Sequence, residues 1–284
     1  MIAFYGMGLL GSNFVRALSR RGEAVQVWNR SEAKARALEV LPGVTACSDP
    51  EEAARGATRL HLTLSDDAAV DEVLARARPA IAQRAVIVDH STTTAKGAAE
   101  RARIWAERGA PYLHAPVFMG PQNAHDATGL MLASGPRALF DSVSGELAKM
   151  TGKLHFMGES PDSAAAFKLM GNLFLMFLTE GLADMLALGK AMGVEPAQAA
   201  TLFEMFNPGN SIPARIKRMT DASFSAPSWT LEMARKDARL MIDEAGRGGV
   251  TLPALPAIAA HMDALIARGH GADDWTVIAS DFVK

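Results

Sequence analysis

Ile2-Ala3-Phe4-Tyr5-Gly6-Met7-Gly8-Leu9-Leu10-Gly11 is the stretch whose reading decides the fold. Four unbroken apolar residues read as a buried strand, and the glycines that follow have the spacing G-x-G-x-x-G. Gly6 suits a tight turn, Gly8 lets a backbone approach a pyrophosphate, and Gly11 allows close packing of the ensuing helix, whose N-terminus faces the phosphates. Glycine spacing alone is common. Here a helical pattern through Leu18 and a second strand over 24–28 supply the context that a dinucleotide turn requires. Met7, Leu9 and Leu10 belong to the same turn and are read with the glycines as cofactor-contacting positions.

The same rhythm continues outward from this turn. Residues 59–64, 86–89 and 112–114 read as further strands, and 31–41, 67–77 and 95–108 as the helices between them. Short apolar strands alternating with helices imply parallel strands and crossover connections, hence a doubly wound α/β sheet. Strands at 130–133 and 153–156, around a helix at 137–150, are expected to extend that sheet in mixed fashion. After Pro161 the alternation stops. A proline-free run from Asp162 to Met192 predicts one helix of about 45 Å at 1.5 Å per residue. Segments 196–206, 212–219, 231–245, 255–267 and 275–282 follow as shorter helices between Gly and Pro signals. The predicted fold is an α/β Rossmann domain, residues 1–161, then an all-α domain, residues 162–284, joined by the long central helix, with a cleft for a ligand.

Composition narrows the partners. With 284 residues, 49% of them hydrophobic, the chain has enough apolar material for a core without staples. Twenty-nine basic against 31 acidic side chains give a formal charge of -2, which offers no global attraction to nucleic acid or anionic lipid. The single cysteine, Cys47, excludes an intramolecular disulfide and a multi-thiolate metal site. No basic region precedes an apolar run at the start, and the most apolar stretch, 173–178, is flanked by Lys168, Asn172 and Glu180, short of a membrane span. The reading is a cytoplasmic protein without a metal.

The end of the second strand distinguishes the two nicotinamide dinucleotides. A carboxylate there binds ribose hydroxyls and repels a 2′-phosphate; this chain has Asn29-Arg30-Ser31. Arg30 can pair with a phosphate in bidentate fashion and Ser31 can donate a hydroxyl hydrogen bond, so NADPH is the expected cofactor. A solvated surface arginine is the alternative, and Lys34 is a weaker auxiliary. Leu64, Ser65 and Asp67 follow one strand, Ser91 and Thr92 the next, all on the ligand-binding edge. Ser91 and Thr92 are read either as contacts to nicotinamide or substrate, or as helix N-caps.

Lys168 and Asn172, four apart on one face of an apolar helix, are the candidate chemical pair. Lysine donates a proton to, or stabilises, the alkoxide formed when hydride reaches a carbonyl, and asparagine orients it. A snorkelling lysine beside a structural amide is the other reading of the same spacing. Lys236 and Asp237 read as a second pair, either functional or merely solvated. No HExxH cluster and no Gly-x-Ser-x-Gly elbow occurs, which sets aside metal-dependent and acyl-transfer chemistry.

Taken together, Gly6 to Gly11, Asp89-His90-Ser91-Thr92, His114-Ala115-Pro116-Val117, the Lys168/Asn172 spacing and Lys236-Asp237 with Leu240 resemble the β-hydroxyacid dehydrogenase family. That group contains 3-hydroxyisobutyrate dehydrogenase and the glyoxylate and succinic semialdehyde reductases, and the likeness covers nearly the whole chain. It implies Lys168 as the catalytic lysine, Asn172 as its substrate-binding companion, Asp237 as a supporting acid and Lys236 as a residue closing on cofactor or substrate. It also implies a homodimer or homotetramer. Two stretches depart from the pattern. The family's Asp-Ala-Pro-Val-Ser-Gly-Gly is His114-Ala115-Pro116-Val117-Phe118-Met119-Gly120 here, and its glycine-rich approach to the lysine is Ser160-Pro161-Asp162-Ser163-Ala164-Ala165-Ala166-Phe167.

The expected function is therefore an NADPH-dependent reductase of a small aldehyde, ketone or semialdehyde, working in reverse on a β-hydroxyacid. Phe118, Met119, Gly120, Ser91, Trp229 and Asp237 are its expected substrate residues. An imine reductase is the alternative within redox chemistry, because Phe118 and Met119 make an apolar wall that suits a bulkier, less anionic substrate. A non-catalytic NADPH-binding protein is the alternative from another class.

Overall fold

The computed structural model describes residues 1–283, which divide into two compact units, Met1–Leu173 and a second beginning at Phe174. In the first, β1 (Ile2–Tyr5), β2 (Val25–Trp28), β3 (Val44–Ala46), β4 (Arg59–Leu62), β5 (Val86–Asp89) and β6 (Tyr112–His114) form one six-stranded sheet. The helices between them are α1 (Leu9–Arg20), α2 (Glu32–Arg36), α3 (Pro50–Ala54), α4 (Asp67–Ala77) and α5 (Ala95–Glu107). Strand order β3-β2-β1-β4-β5-β6, parallel throughout, is the doubly wound arrangement whose order reverses beside β1. Both faces are covered, so the strands read as solid apolar runs: Ile2 and Phe4 join one core with Phe14, Leu18 and Val27, while Ala3 and Tyr5 join the other with Leu60, Leu74 and Trp105.

Register places the site. Tyr5 lies level with Trp28 on one side and Leu62 on the other, Leu62 with Asp89, and Asp89 with His114. The strands therefore end in one row, and the loops that begin at Gly6, Asn29, Thr63, His90 and Ala115 leave along a common edge.

Several expectations change in detail. The helix expected over 31–41 is only Glu32–Arg36 before it relaxes into turns, and β3 with α3 occupies a stretch that periodicity leaves blank. Three-residue β3 is too short to show alternation, whereas α3 carries a start signal: Asp49 accepts from the Glu52 N–H at 2.8 Å and Pro50 begins the helix. Strands β7 (Val117–Phe118), β8 (Leu130–Ala133) and β9 (Lys153–Phe156), with α6 (Pro121–Asp126) and α7 (Arg137–Ala148), do not enlarge the first sheet. They make a separate three-stranded sheet in the order β7-β8-β9, joined to it by an isolated antiparallel bridge between His114 and Ser134.

Helix α8 (Ser163–Ala191) runs from the first unit into the second. Its start is fastened by Ser134, whose hydroxyl accepts the Ala164 N–H and donates to the Pro161 carbonyl, both at 3.0 Å. By length and composition this helix is apolar enough to cross a membrane. Within it Asp184 Oδ2 accepts the Ala254 and Leu255 N–H groups at 3.2 and 2.9 Å. The rest of the second unit is α9 (Pro196–Ala200), α10 (Leu202–Met205), α11 (Ile212–Thr220), α12 (Leu231–Arg247) and α13 (Leu255–Leu265), then tight helical turns over Trp275–Phe282. Leu231, Ala234, Met262, Leu265 and Val277 form its core.

His61, His90 and His114 are fully withdrawn from solvent, and burial is the leading cause that lowers all three imidazoles, His114 to about 4. Unfolded imidazoles take up protons near pH 6.5 while these stay neutral, so protons favour the unfolded chain below that pH. Stability is expected to fall steadily from pH 6.5 toward 4, read as a declining urea midpoint. A flat profile across that window would contradict the buried neutral histidines.

Candidate functional site

The glycine turn is built by close backbone contacts. Gly6 has φ +96°, and a Cβ there would lie 2.2 Å from the Thr63 carbonyl oxygen. A Cβ on Gly11 would lie 1.9 Å from the Gly6 oxygen and 2.3 Å from Thr63 Oγ1. Thr63 closes the arrangement by donating its hydroxyl to the Gly6 carbonyl at 2.8 Å. Gly8 differs from both: its Cβ would meet nothing within 4 Å, and no side chain caps the α1 N-terminus that it begins. That open approach to uncapped N–H groups fits a pyrophosphate.

Beside it lies a groove of about 260 Å³ lined by Gly6, Gly8, Asn29, Arg30, Ser31, Leu64 and Ser65, all expected from sequence, with Lys34. Trp28, Thr63, Glu72 and Val73 also line it and were not anticipated. Arg30 and Lys34 are exposed, and among the described residues no hydrogen bond or ion pair involves either side chain. Asn29 has a task of its own: Oδ1 accepts the Met7 N–H and Nδ2 donates to the Ser31 carbonyl, each at 2.9 Å, tying the glycine turn to the end of β2. Met7 is buried in the core, Leu10 packs partly against it, and Leu9 is exposed.

Two expected contacts do other work. Asp67 turns to α5, where it accepts from Arg101 Nη2 at 2.7 Å and the Thr94 N–H at 2.9 Å. Ser91 is buried and is no N-cap; its Oγ accepts the Leu64 N–H at 2.8 Å and its N–H donates to Asp89 Oδ1 at 2.9 Å, so it binds two edge loops together. Thr94 caps α5 instead, and Thr92 is exposed. Beneath them Tyr112 donates to Asp89 Oδ2 at 2.6 Å while receiving Arg101 Nε at 3.2 Å.

Lys168 and Asn172 meet as the spacing suggests, with Nζ donating to Oδ1 at 2.8 Å. The lysine does not snorkel. It is 8% exposed, its ammonium stands 4.1 Å from the centre of the Phe118 ring, and desolvation lowers its pKa below the ordinary lysine value. Gly171, overlooked in the sequence, makes room for that ring: a Cβ there would lie 2.3 Å from Phe118 Cζ. Phe118 is placed by β7, opposite Leu130 of β8. Met119 packs partly into the core, and the Gly120 N–H, expected to face substrate, donates to Asn123 Oδ1 at 2.9 Å and caps α6.

A buried relay leads into the same loop. Arg59 Nε donates to His61 Nε2 at 2.8 Å, and because guanidinium only donates, His61 carries its proton on Nδ1. That proton faces His90 Nε2 at 2.9 Å, which leaves His90 Nδ1–H for the Ala115 carbonyl at 2.7 Å. Ala115 stands three residues before Phe118. Within the second unit, Lys236 and Asp237 of α12 pair with each other at 2.8 Å, and Trp229 sits edge-on to Trp275 at 5.5 Å. No group of three or more potential metal ligands occurs among the described residues.

Comparison with known proteins agrees with this architecture. Residues 1–158 match the model for the NAD binding domain of 6-phosphogluconate dehydrogenase, and residues 163–280 that for the NAD-binding of NADP-dependent 3-hydroxyisobutyrate dehydrogenase. The chain is 24% identical to 2-(hydroxymethyl)glutarate dehydrogenase of Eubacterium barkeri, over 98% of this chain and 93% of that one. It is 29% identical to the human cytokine-like nuclear factor N-PAC, over 85% of this chain and 44% of that protein. Among solved structures, an imine reductase from Myxococcus stipitatus in complex with NADP+ superposes with a TM-score of 0.91 at 21% identity, covering both chains completely. That last likeness is one of fold.

The glycines divide by function, and substitution separates them. Gly11→Ala forces a methyl against backbone and is expected to destabilise the fold by about 1–3 kcal/mol, as overpacked sites do. Gly8→Ala should leave the urea midpoint nearly unchanged while weakening dinucleotide binding, measured by fluorescence titration. Equal stability losses at the two positions would contradict the assignment.

Proposed function

The chain belongs to the β-hydroxyacid dehydrogenase family of NAD(P)-dependent oxidoreductases, with NAD(P)H as cofactor, and from that premise we propose that it is an NADPH-dependent reductase of small aldehydes, ketones or semialdehydes, running in reverse on a β-hydroxyacid. The observation that carries this reading is the Lys168 ammonium, shielded from water against Phe118 and held by Asn172. When bound, the nicotinamide supplies a hydride, and the protein's part is orientation and charge placement. Lys168 holds a proton on Nζ and delivers it to the substrate oxygen as negative charge develops there. Asn172 Oδ1 fixes the direction of that ammonium. Phe118 keeps water from the pair, which strengthens the interaction of the ammonium with a developing alkoxide.

Arg30 and Lys34 are the groups proposed to choose the cofactor. Two exposed cations with free donors stand where an NAD-selective site places a carboxylate, and they suit a 2′-phosphate. The aromatic face of Phe118, where the family pattern has a hydroxyl, favours an apolar substituent on the substrate. The same face supports a second reading as an imine reductase, which needs an amine alongside the carbonyl. We further propose a cytoplasmic homodimer or homotetramer that covers the apolar side chains exposed on α8, including Leu173, Phe174, Met176 and Phe177. Sedimentation at the mass of one chain would contradict that assembly.

The test is NADPH oxidation over a panel of aldehydes, ketones and semialdehydes, each with and without amine. Lys168→Met is expected to lower kcat by about 10²–10⁴-fold with cofactor binding retained, the range for a lost general acid. Arg30→Ala should raise the KM for NADPH by about tenfold or more and leave that for NADH unchanged. An unaffected rate in Lys168→Met would remove the lysine from the mechanism, and turnover only with amine would select the imine reading.

A further inference from the structure

The groove beside the glycine turn carries a single acid. Glu72 is the only carboxylate among the residues that line it, and nothing in the glycine motif calls for one there. It enters the groove from α4 together with Ala69 and Val73, three and four residues apart on one helix face. The side chain is exposed, and its oxygens are open to a ligand. Arg76 Nη1, its one ionic neighbour, stands 3.9 Å away, beyond hydrogen-bond distance, while the same guanidinium lies over the Trp28 ring, 5.3 Å from its centre. Among the described residues no hydrogen bond reaches the Glu72 carboxylate.

The other walls of the groove already have parts of a dinucleotide assigned to them. The uncapped start of α1 beside Gly8 suits the pyrophosphate, and Asn29-Arg30-Ser31 at the end of β2 suits the adenosine ribose with its 2′ substituent. The α4 face is left for the base, with Ala69 and Val73 as apolar contact for its flat side. A carboxylate only accepts hydrogen bonds and repels phosphate, so on the base it needs a donor. Adenine has one exocyclic donor, the N6 amine, where hypoxanthine carries an oxygen acceptor. We propose that Glu72 accepts a hydrogen bond from adenine N6 and makes the groove select adenine over hypoxanthine. This rests on the dinucleotide assignment of the groove, and it needs neither the 2′-phosphate preference nor the hydride chemistry proposed above.

Isothermal titration of the full chain without substrate tests it. NADP+ is compared with nicotinamide hypoxanthine dinucleotide phosphate, and NAD+ with its hypoxanthine counterpart. In each pair the adenine form is expected to bind about tenfold more tightly, the worth of one charge-assisted hydrogen bond. Glu72→Ala should abolish that ratio. Glu72→Gln, whose amide can turn to present either a donor or an acceptor, should bring the two forms to within about threefold of each other. Alanine and glutamine are both good helix formers at an exposed helix position, so the variants are expected to fold, which circular dichroism checks. Equal affinity for the two bases in the wild-type chain would overturn the proposal, as would a ratio that survives Glu72→Ala. Binding of none of the four dinucleotides would overturn the cofactor assignment itself, and the role of Glu72 with it.

Discussion

The carboxyl edge of the parallel sheet depends on one close approach of backbone to backbone. Gly11 lies where a methyl group would sit 1.9 Å from the Gly6 carbonyl oxygen, and Gly6 itself fits only with φ at +96°. Thr63 locks the two by its hydrogen bond to that carbonyl, and Asn29 holds Met7 from the other side. The loops after β1, β2 and β4 are thus fastened to each other. Ser91 then ties the β4 loop to the β5 loop, and the histidine relay reaches the β6 loop through Ala115. What the cofactor meets is a rigid edge, as a site that must orient a hydride requires.

The proposed reactive end rests on a second constraint, the cost of keeping an ammonium out of water. Lys168 loses hydration and recovers part of it from Asn172 and from the face of Phe118. The arrangement needs Gly171, since any side chain there would push the ring away. One turn of α8 therefore contributes the proposed proton donor, the amide proposed to orient it and the space for the aromatic wall beside them. The same helix exposes a row of large apolar side chains, which is why an assembly of copies belongs to the functional proposal.

Much of this was legible in the sequence because it depends on local chemistry. The glycine spacing, the strand before it and the i, i+4 relation of Lys168 and Asn172 are short-range facts, and α8 followed from a long run without proline. The misses share a different cause. Whether Asp67 faces cofactor or Arg101, whether Ser91 caps a helix or bridges two loops, and whether the Gly120 N–H is free depend on partners far along the chain. Gly171 reads as a tolerated helix glycine until Phe118 is placed beside it. Strand β3, at three residues, has too few positions to show alternation, although Asp49-Pro50 announces the helix that follows. The buried pairings of Arg59, His61 and His90 carry no sequence period at all.

In the proposed mechanism, burial against Phe118 tunes Lys168 as the proton donor. The pH profile of kcat/KM for carbonyl reduction tests it most directly, compared between the wild-type chain and Phe118→Ser. Because desolvation lowers the lysine and the protonated form acts, activity is expected to decline with rising pH from below the ordinary lysine value of about 10.4. Admitting water in Phe118→Ser should move that limb to higher pH. A limb that does not move, or one that is absent in the wild type up to pH 10, would contradict the claim.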